Sequence, residues 1–239
     1  MNVGILFAGG VGTRMGHTDK PKQFIEIAKK PIIVHTIEIF ENNNNIDAVI
    51  VVCVEEWISY MQELVDEYQL KKVATITPGG TTGQMSIFNG IQAAKDIYGE
   101  DKETIVLIHD GVRPFIDNDL INNNIENVKK KNSAISCILS TETFVLTDED
   151  MNIKQVPQRA HSLIAKAPQS FYLKDIYNVH LQAQAKGLVD AIDSCTLMNE
   201  FKHPLSVVLT DYDNIKITTP KDIVLAESIH ARRTANKEK

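Results

Sequence analysis

Apolar positions follow two different rhythms in the first 132 residues, and the rhythms alternate. VGILFA (3–8), DAVIVVCV (47–54) and TIVLIH (104–109) are short, nearly unbroken apolar runs, and KVATITP (72–78) reads as a strand running into a turn. Unbroken runs of this length predict strands buried on both faces, as in a parallel sheet. Between them, PIIVHTIEIFENN (31–43), EEWISYMQELVDEYQL (55–70), TGQMSIFNGIQAAKDIYG (82–99) and NDLINNNIENVKKKN (118–132) repeat their apolar residues three and four apart. That spacing predicts amphipathic helices. The second opens with acidic residues, where a helix dipole favours them, the third stops at a glycine, and the fourth has a basic last turn. The alternation predicts an α/β fold with a mainly parallel, fully covered sheet.

From Ser133 the pattern changes. The stretch from Ser133 to Phe171 is strand-like with turn residues and no helical period, and residues 138–165 read as a protruding β-arm. Helical segments follow from about Leu173 to Lys202. LSVVLTD and NIKITT are strand-like, and PKDIVLAESIHARR is a last helix with proline near its first turn. No repeat and no Pro/Gly/Ser linker interrupts the chain, so residues 1–239 are expected to form one domain.

Composition narrows the function classes. The net charge of −6 provides no basic field for nucleic acid. Cys53, Cys137 and Cys195 are odd in number and far apart, which fits a reducing cytoplasm and neither a disulfide framework nor a metal knuckle. No basic start with a long apolar core marks a leader, and no apolar run approaches the ~20 residues of a membrane span.

The chemistry concentrates after the first strand, in LFAGGVGTRMG and, a few residues on, PKQF. A strand, a glycine-rich turn and a helix start make an anion site, because glycines let backbone N–H groups turn toward a phosphate. A P-loop would need GxxxxGK[ST], and no Gly-Lys occurs here. A dinucleotide fingerprint starting at Gly10 would place its third glycine on Met15. Instead the segment carries two cations, Arg14 and Lys22, which suit a triphosphate whose charge shifts during phosphoryl transfer.

These residues resemble the G-x-G-T-R-M…P-K-Q signature of the sugar-phosphate nucleotidyltransferases, in particular the cytidylyltransferases for methylerythritol phosphate and for ribitol phosphate. PGGTTGQMSIFNGI resembles the family's second nucleotide loop, HDGVRPF its H-D-[AS]-[AV]-R-P, and VPQRAHSLIAKAPQSF its arm followed by T-P-Q-x-F. AIDSCTLM resembles its T-D-[AE] segment and NIKITTPKDI its N-I-K-[IV]-T. The resemblance implies a Rossmann-like three-layer sandwich of the nucleotide-diphospho-sugar transferase type, with the arm at 138–165 serving dimerisation. It implies CTP as a substrate, Mg²⁺ or another divalent cation, and a homodimer with shared active sites. VRPF, PKQF and KITTPKD lean toward ribitol phosphate. The implied reaction is CMP transfer to an alditol phosphate, for teichoic acid or capsule precursors. Methylerythritol-phosphate chemistry of isoprenoid synthesis and a non-catalytic nucleotide-binding module stand as alternatives.

Carried over position by position, the resemblance implies roles for named residues. Arg14 and Lys22 would stabilise the transition state. Phe7, Ala8, Gly9, Gly10, Gly12 and Thr13 would hold the nucleotide. Gly79, Gly80 and Ser86 would frame cytosine and ribose. Asp110, with Gly111 beside it, would hold the metal or contact acceptor hydroxyls. Arg113, Arg159 and Lys216 would face the acceptor, Arg159 from the neighbouring subunit. Each also has a plain reading: Arg113 as a structural arginine before proline, Lys216 as an edge-strand cation, Arg159 as a solvated arm residue. Strand alternation turns His109 away from Asp110, which predicts a packed histidine, and Trp57 reads as packing. Three positions depart from the family pattern. Gly83 replaces an arginine, with Gln84 beside it to supply replacement hydrogen bonds. Phe144, after Thr143, replaces a small hydroxyl residue. Lys166-Ala167-Pro168-Gln169 stands where QTPQ is expected.

Overall fold

The computed structural model describes residues 1–9, 20–99 and 103–237. The chain opens with β1 (Asn2–Ala8), then makes a small hairpin, β2 (Glu26–Ile27) and β3 (Lys30–Pro31), which leads directly into α1 (Ile32–Glu41). β4 (Ala48–Cys53), α2 (Ile58–Glu67), β5 (Val73–Pro78), α3 (Gly83–Tyr98), β6 (Ile105–Asp110) and α4 (Asn118–Lys131) follow in the predicted alternation. β7 (Ser133–Leu139), β8 (Leu146–Thr147), β9 (Ile153–Gln155) and β10 (Leu163–Tyr172) form the strand-like stretch. α5 (Leu173–Ala185), α6 (Ser194–Glu200), β11 (Val207–Leu209) and α7 (Pro220–Lys237) complete the chain.

One seven-stranded sheet organises the molecule, in the order β11-β7-β10-β6-β1-β4-β5. Every neighbouring pair is parallel except those made by β10, which runs antiparallel to both β6 and β7. Successive side chains of a strand point to opposite faces. On β4, Val49, Val51 and Cys53 join a core built with α1, α2 and α4, whereas Ala48, Ile50 and Val52 join one built with α3, α5 and α6. Helices on both faces explain why these strands read as unbroken apolar runs. The result is a Rossmann-like three-layer sandwich. A third, smaller core holds α7 against the hairpin through Ile27, Ile32, Val112, Ile217 and Ile229.

Helix ends follow local chemistry. The side chains of Thr82, Asp117 and Asp193 accept the backbone N–H groups of Met85, Leu120 and Thr196 at the starts of α3, α4 and α6. Gly99 (φ 78°) ends α3, and Asn132, in the left-handed region, ends α4.

One local expectation is corrected. NIKITT forms no strand and pairs in no sheet. Ile217 N–H donates instead to Val112 C=O at 3.0 Å, and Thr218 and Thr219 turn their N–H and hydroxyl groups onto the Asp222 carboxylate. The segment therefore caps α7, and Lys216 is not an edge-strand residue. The β2–β3 hairpin carries no sequence signal, because its turn places Ala28 (φ 50°) and Lys29 (φ 64°) where glycine or asparagine is usual.

β7 and β10 stay paired as far as Leu139 and Leu163, and the chain between them leaves the sheet. There β8 and β9 pair only with each other, and Leu146, Met151, Ile153 and Val156 are exposed, Met151 by 77%. No described helix is long and apolar enough to cross a membrane.

Candidate active site

β6, β1, β4 and β5 are parallel, so their C-terminal ends open on one edge of the sheet, where ligand crevices form in such folds. A cavity of about 340 Å³ lies there. It is lined by Phe7, Ala8 and Gly9 from the end of β1, Lys22 and Gln23 from the turn before the hairpin, and Asp110 and Val112 at the end of β6. Gly80 to Gly83, Ser86 and Lys216 complete it. Gly10, Gly12, Thr13 and Arg14 lie outside the described residues. The described members of both glycine loops, the Lys22 segment, the aspartate and Lys216 thus meet in one place despite their spread along the chain.

Each wall is held by identifiable bonds. Gln23 is fully buried and its side-chain amide donates to Ala8 C=O at 2.6 Å, which ties the Lys22 turn to the end of β1. Gly79 N–H donates to Cys53 C=O at 2.8 Å, anchoring the second loop to β4. Ser86 Oγ accepts Gly80 N–H at 3.0 Å and donates to Thr82 C=O at 2.9 Å. A Cβ on Gly80 would stand 2.5 Å from Met85 Cβ and 2.7 Å from its carbonyl carbon, so only glycine permits this turn into α3. Gly111 N–H donates to Phe7 C=O at 3.0 Å, and a Cβ there would meet Ile33 at 2.6 Å.

Asp110 is the charge centre. Its Oδ2 accepts Arg113 Nε at 2.6 Å and its Oδ1 takes Lys216 Nζ at 2.5 Å. Arg113 Nη1 donates to Asn214 C=O at 3.1 Å. Burial alone would raise the Asp110 pKa, but the charges of Arg113 and Lys216 outweigh it and bring the pKa down to about 2. The carboxylate is therefore ionised at any pH where the protein would work. Lys216 has the most exposed side chain of the three, at 38%, and faces the cavity. His109 is fully buried, with Nε2 3.2 Å from Arg113 C=O and its ring against Phe40. Burial brings its pKa down to about 4, so it is neutral and packed, as strand alternation predicts. Trp57 packs on Phe24 and Tyr60.

Among the described residues, Asp110 is the one carboxylate lining this cavity, and no group of three metal-ligating side chains occurs. That donor set fits a Mg²⁺ ion held mainly by substrate phosphates with a single protein carboxylate, the usual habit of Mg²⁺ in such sites.

Arg159 stands apart. It begins a one-turn 3₁₀ helix (Arg159–His161) at the arm's return, is exposed, and does not line the cavity. Phe144 is also on the arm and exposed. Gln84 does not serve the nucleotide side. It is buried, donates to Leu188 C=O at 2.8 Å and accepts Ala191 N–H at 2.7 Å, so both ends of its amide brace the loop before α6. Gly83 lines the cavity with nothing within 4 Å of a Cβ. Residues that sequence reasoning passed over are Gln23 and Asn214. Gln23 sits inside the quoted PKQF motif, but Asn214 shows its bridging role only in three dimensions.

Residues 3–232 match the family described as "IspD: 2-C-methyl-D-erythritol 4-phosphate cytidylyltransferase". A protein of Streptococcus agalactiae serotype V named ribitol-5-phosphate cytidylyltransferase is 51% identical, over 98% of this chain and 96% of its own. A protein of the same name from Vibrio parahaemolyticus is 50% identical, over 96% of this chain and 95% of its own. The crystal structure of 4-diphosphocytidyl-2C-methyl-D-erythritol synthase from Anaerococcus prevotii superposes with a TM-score of 0.82 at 27% identity, covering 96% of both chains. Fold, motif residues and full-length similarity agree, and the chain belongs to the IspD family of cytidylyltransferases and is a nucleotidyltransferase.

Proposed function

We propose that this enzyme transfers CMP from CTP to D-ribitol 5-phosphate, yielding CDP-ribitol and pyrophosphate for teichoic acid or capsule precursors. The observation that carries the reading is the single cavity shared by the glycine loops, Lys22, Asp110 and Lys216. The names of the relatives at about half identity support ribitol 5-phosphate as acceptor. The family description favours methylerythritol phosphate as the second reading.

A phosphate oxygen of the acceptor attacks the α-phosphorus of CTP, the bond to the bridging oxygen of the β-phosphate breaks, and pyrophosphate leaves with that electron pair. Such a step needs positioning and charge stabilisation more than covalent help. Backbone N–H groups of the loops after β1 and β5 hold the phosphates and base, and Arg14 and Lys22 neutralise the charge that builds on the leaving group. Gly79, Gly80 and Ser86 shape the base and ribose pocket. Asp110 keeps Lys216 and Arg113 extended toward the acceptor and is the carboxylate that would hold Mg²⁺. Bound Mg²⁺ would supply further neutralisation of the triphosphate. In this reading the enzyme is a cytoplasmic homodimer, and Arg159 reaches the acceptor in its partner's site.

Pyrophosphate release from CTP and Mg²⁺ with ribitol, glycerol and methylerythritol phosphates tests the proposal. Release with ribitol 5-phosphate is expected. Release only with methylerythritol phosphate would move the enzyme to isoprenoid synthesis, and silence with all three would overturn the activity.

A further inference from the structure

β10 does not pair smoothly with β7. The register shifts between Ala165 and Gln169, and the irregular residues are Lys166, Ala167 and Pro168. They lie where β10 passes the end of β6, since Gln169 is opposite Ile108, two residues before Asp110. Asn214 ties this bulge to the charge centre. Its side-chain amide donates to Ala167 C=O at 2.7 Å while its own C=O accepts Arg113 Nη1 at 3.1 Å.

Lys166 is half-buried at this point. Among the described residues its ammonium has no carboxylate or carbonyl partner. The charge that reaches it is that of Arg113, of the same sign; burial first, then this repulsion, lowers its pKa. A partly desolvated cation beside another cation is unfavourable until an anion joins them.

We infer that Lys166, together with Arg113, binds the phosphate group of the acceptor, and so sets affinity for the acceptor and not for CTP. The inference rests on the alditol-phosphate reading and deepens it. CTP also carries phosphates, but strand order separates the two sources. β10 flanks β6 on one side, whereas the glycine loops follow β1 and β5 on the other. Lys166 is absent from the lining of the cavity those loops enclose. It also stands where the family pattern QTPQ has an uncharged glutamine.

Steady-state kinetics of the full-length enzyme decide the matter. Lys166→Gln should raise KM for ribitol 5-phosphate about tenfold, with KM for CTP within about twofold, and Lys166→Arg should restore most of the loss. The melting temperature of Lys166→Gln should not fall, because an unpaired charge has been removed. An unchanged acceptor KM, an equal rise in both KM values, or no recovery with arginine overturns the inference. Wild-type turnover reports on the parent reading separately. If only glycerol phosphate is used, the alditol reading stands with a shorter acceptor; if only methylerythritol phosphate is used, that reading fails; in both cases the same comparison with the accepted substrate still decides Lys166. If none is used, calorimetric titration of ribitol 5-phosphate into both proteins decides it, and equal affinity or no wild-type binding overturns it.

Discussion

At the residue scale, Asp110 shows how one buried carboxylate can organise a site. Its folded pKa of about 2 lies below its ordinary 3.8, so the ionised group contributes stability that is present above about pH 4 and lost as pH falls through 2. The shift corresponds to about 2 kcal/mol. The stability difference between wild type and Asp110→Asn should therefore stay flat from neutral pH down to about pH 4 and shrink toward pH 2 in denaturant titrations. A difference that does not depend on pH would show that the ion pairs contribute little. Lys22 gives the sharper functional expectation. Lys22→Ala should lower kcat by about 10²-fold or more while the fold, followed by circular dichroism, stays intact. Unchanged turnover would remove Lys22 from the mechanism.

At the element scale, α3 is the piece that both closes the nucleotide loop and braces its surroundings. Its first turn puts Gly83 at the cavity and Thr82 and Gln84 onto the loop before α6, with Thr82 Oγ1 donating to Val189 C=O. The resemblance left Gln84 as a stand-in for the missing arginine. Three-dimensional packing gives it another task, because its amide is buried and fully used by Leu188 and Ala191. Gln84→Ala removes the partner of the part-buried Leu188 C=O and Ala191 N–H and should cost about 1 kcal/mol. Hydrogen exchange should then quicken at Ala191, and protection equal to wild type would show that the brace is dispensable.

At the scale of the whole molecule, the arm pairs only with itself among the described residues. It leaves the sheet after Leu139, exposes a row of apolar side chains, and carries Arg159 away from the cavity. A shared site predicts complementation. Lys22→Ala and Arg159→Ala homodimers should each be inactive, yet mixing them through a denaturation–refolding cycle should regain turnover. A mixed dimer would have one site with both residues intact. No recovery, or a light-scattering mass of 26.7 kDa instead of twice that, would place Arg159 outside the mechanism.

Much of this protein was legible before any coordinates. Two hydrophobic periods marked the parallel strands and covering helices, because burial on both faces leaves unbroken apolar runs that nothing else on the chain resembles. The glycine loops were legible because close backbone approach excludes every other residue, as the contact at Gly80 shows. What the sequence could not decide was how non-local groups share partners. NIKITT has the composition of a strand, but it docks on the loop after β6 and caps α7 instead of joining the sheet. The β2–β3 turn uses residues that local propensity disfavours, because the small core under α7 holds it. Asp110, Arg113, Asn214, Lys216 and the Lys166 bulge span about half the chain. Their mutual charges depend on distances that only the folded sheet sets, since electrostatic strength follows separation and burial and not position in the chain.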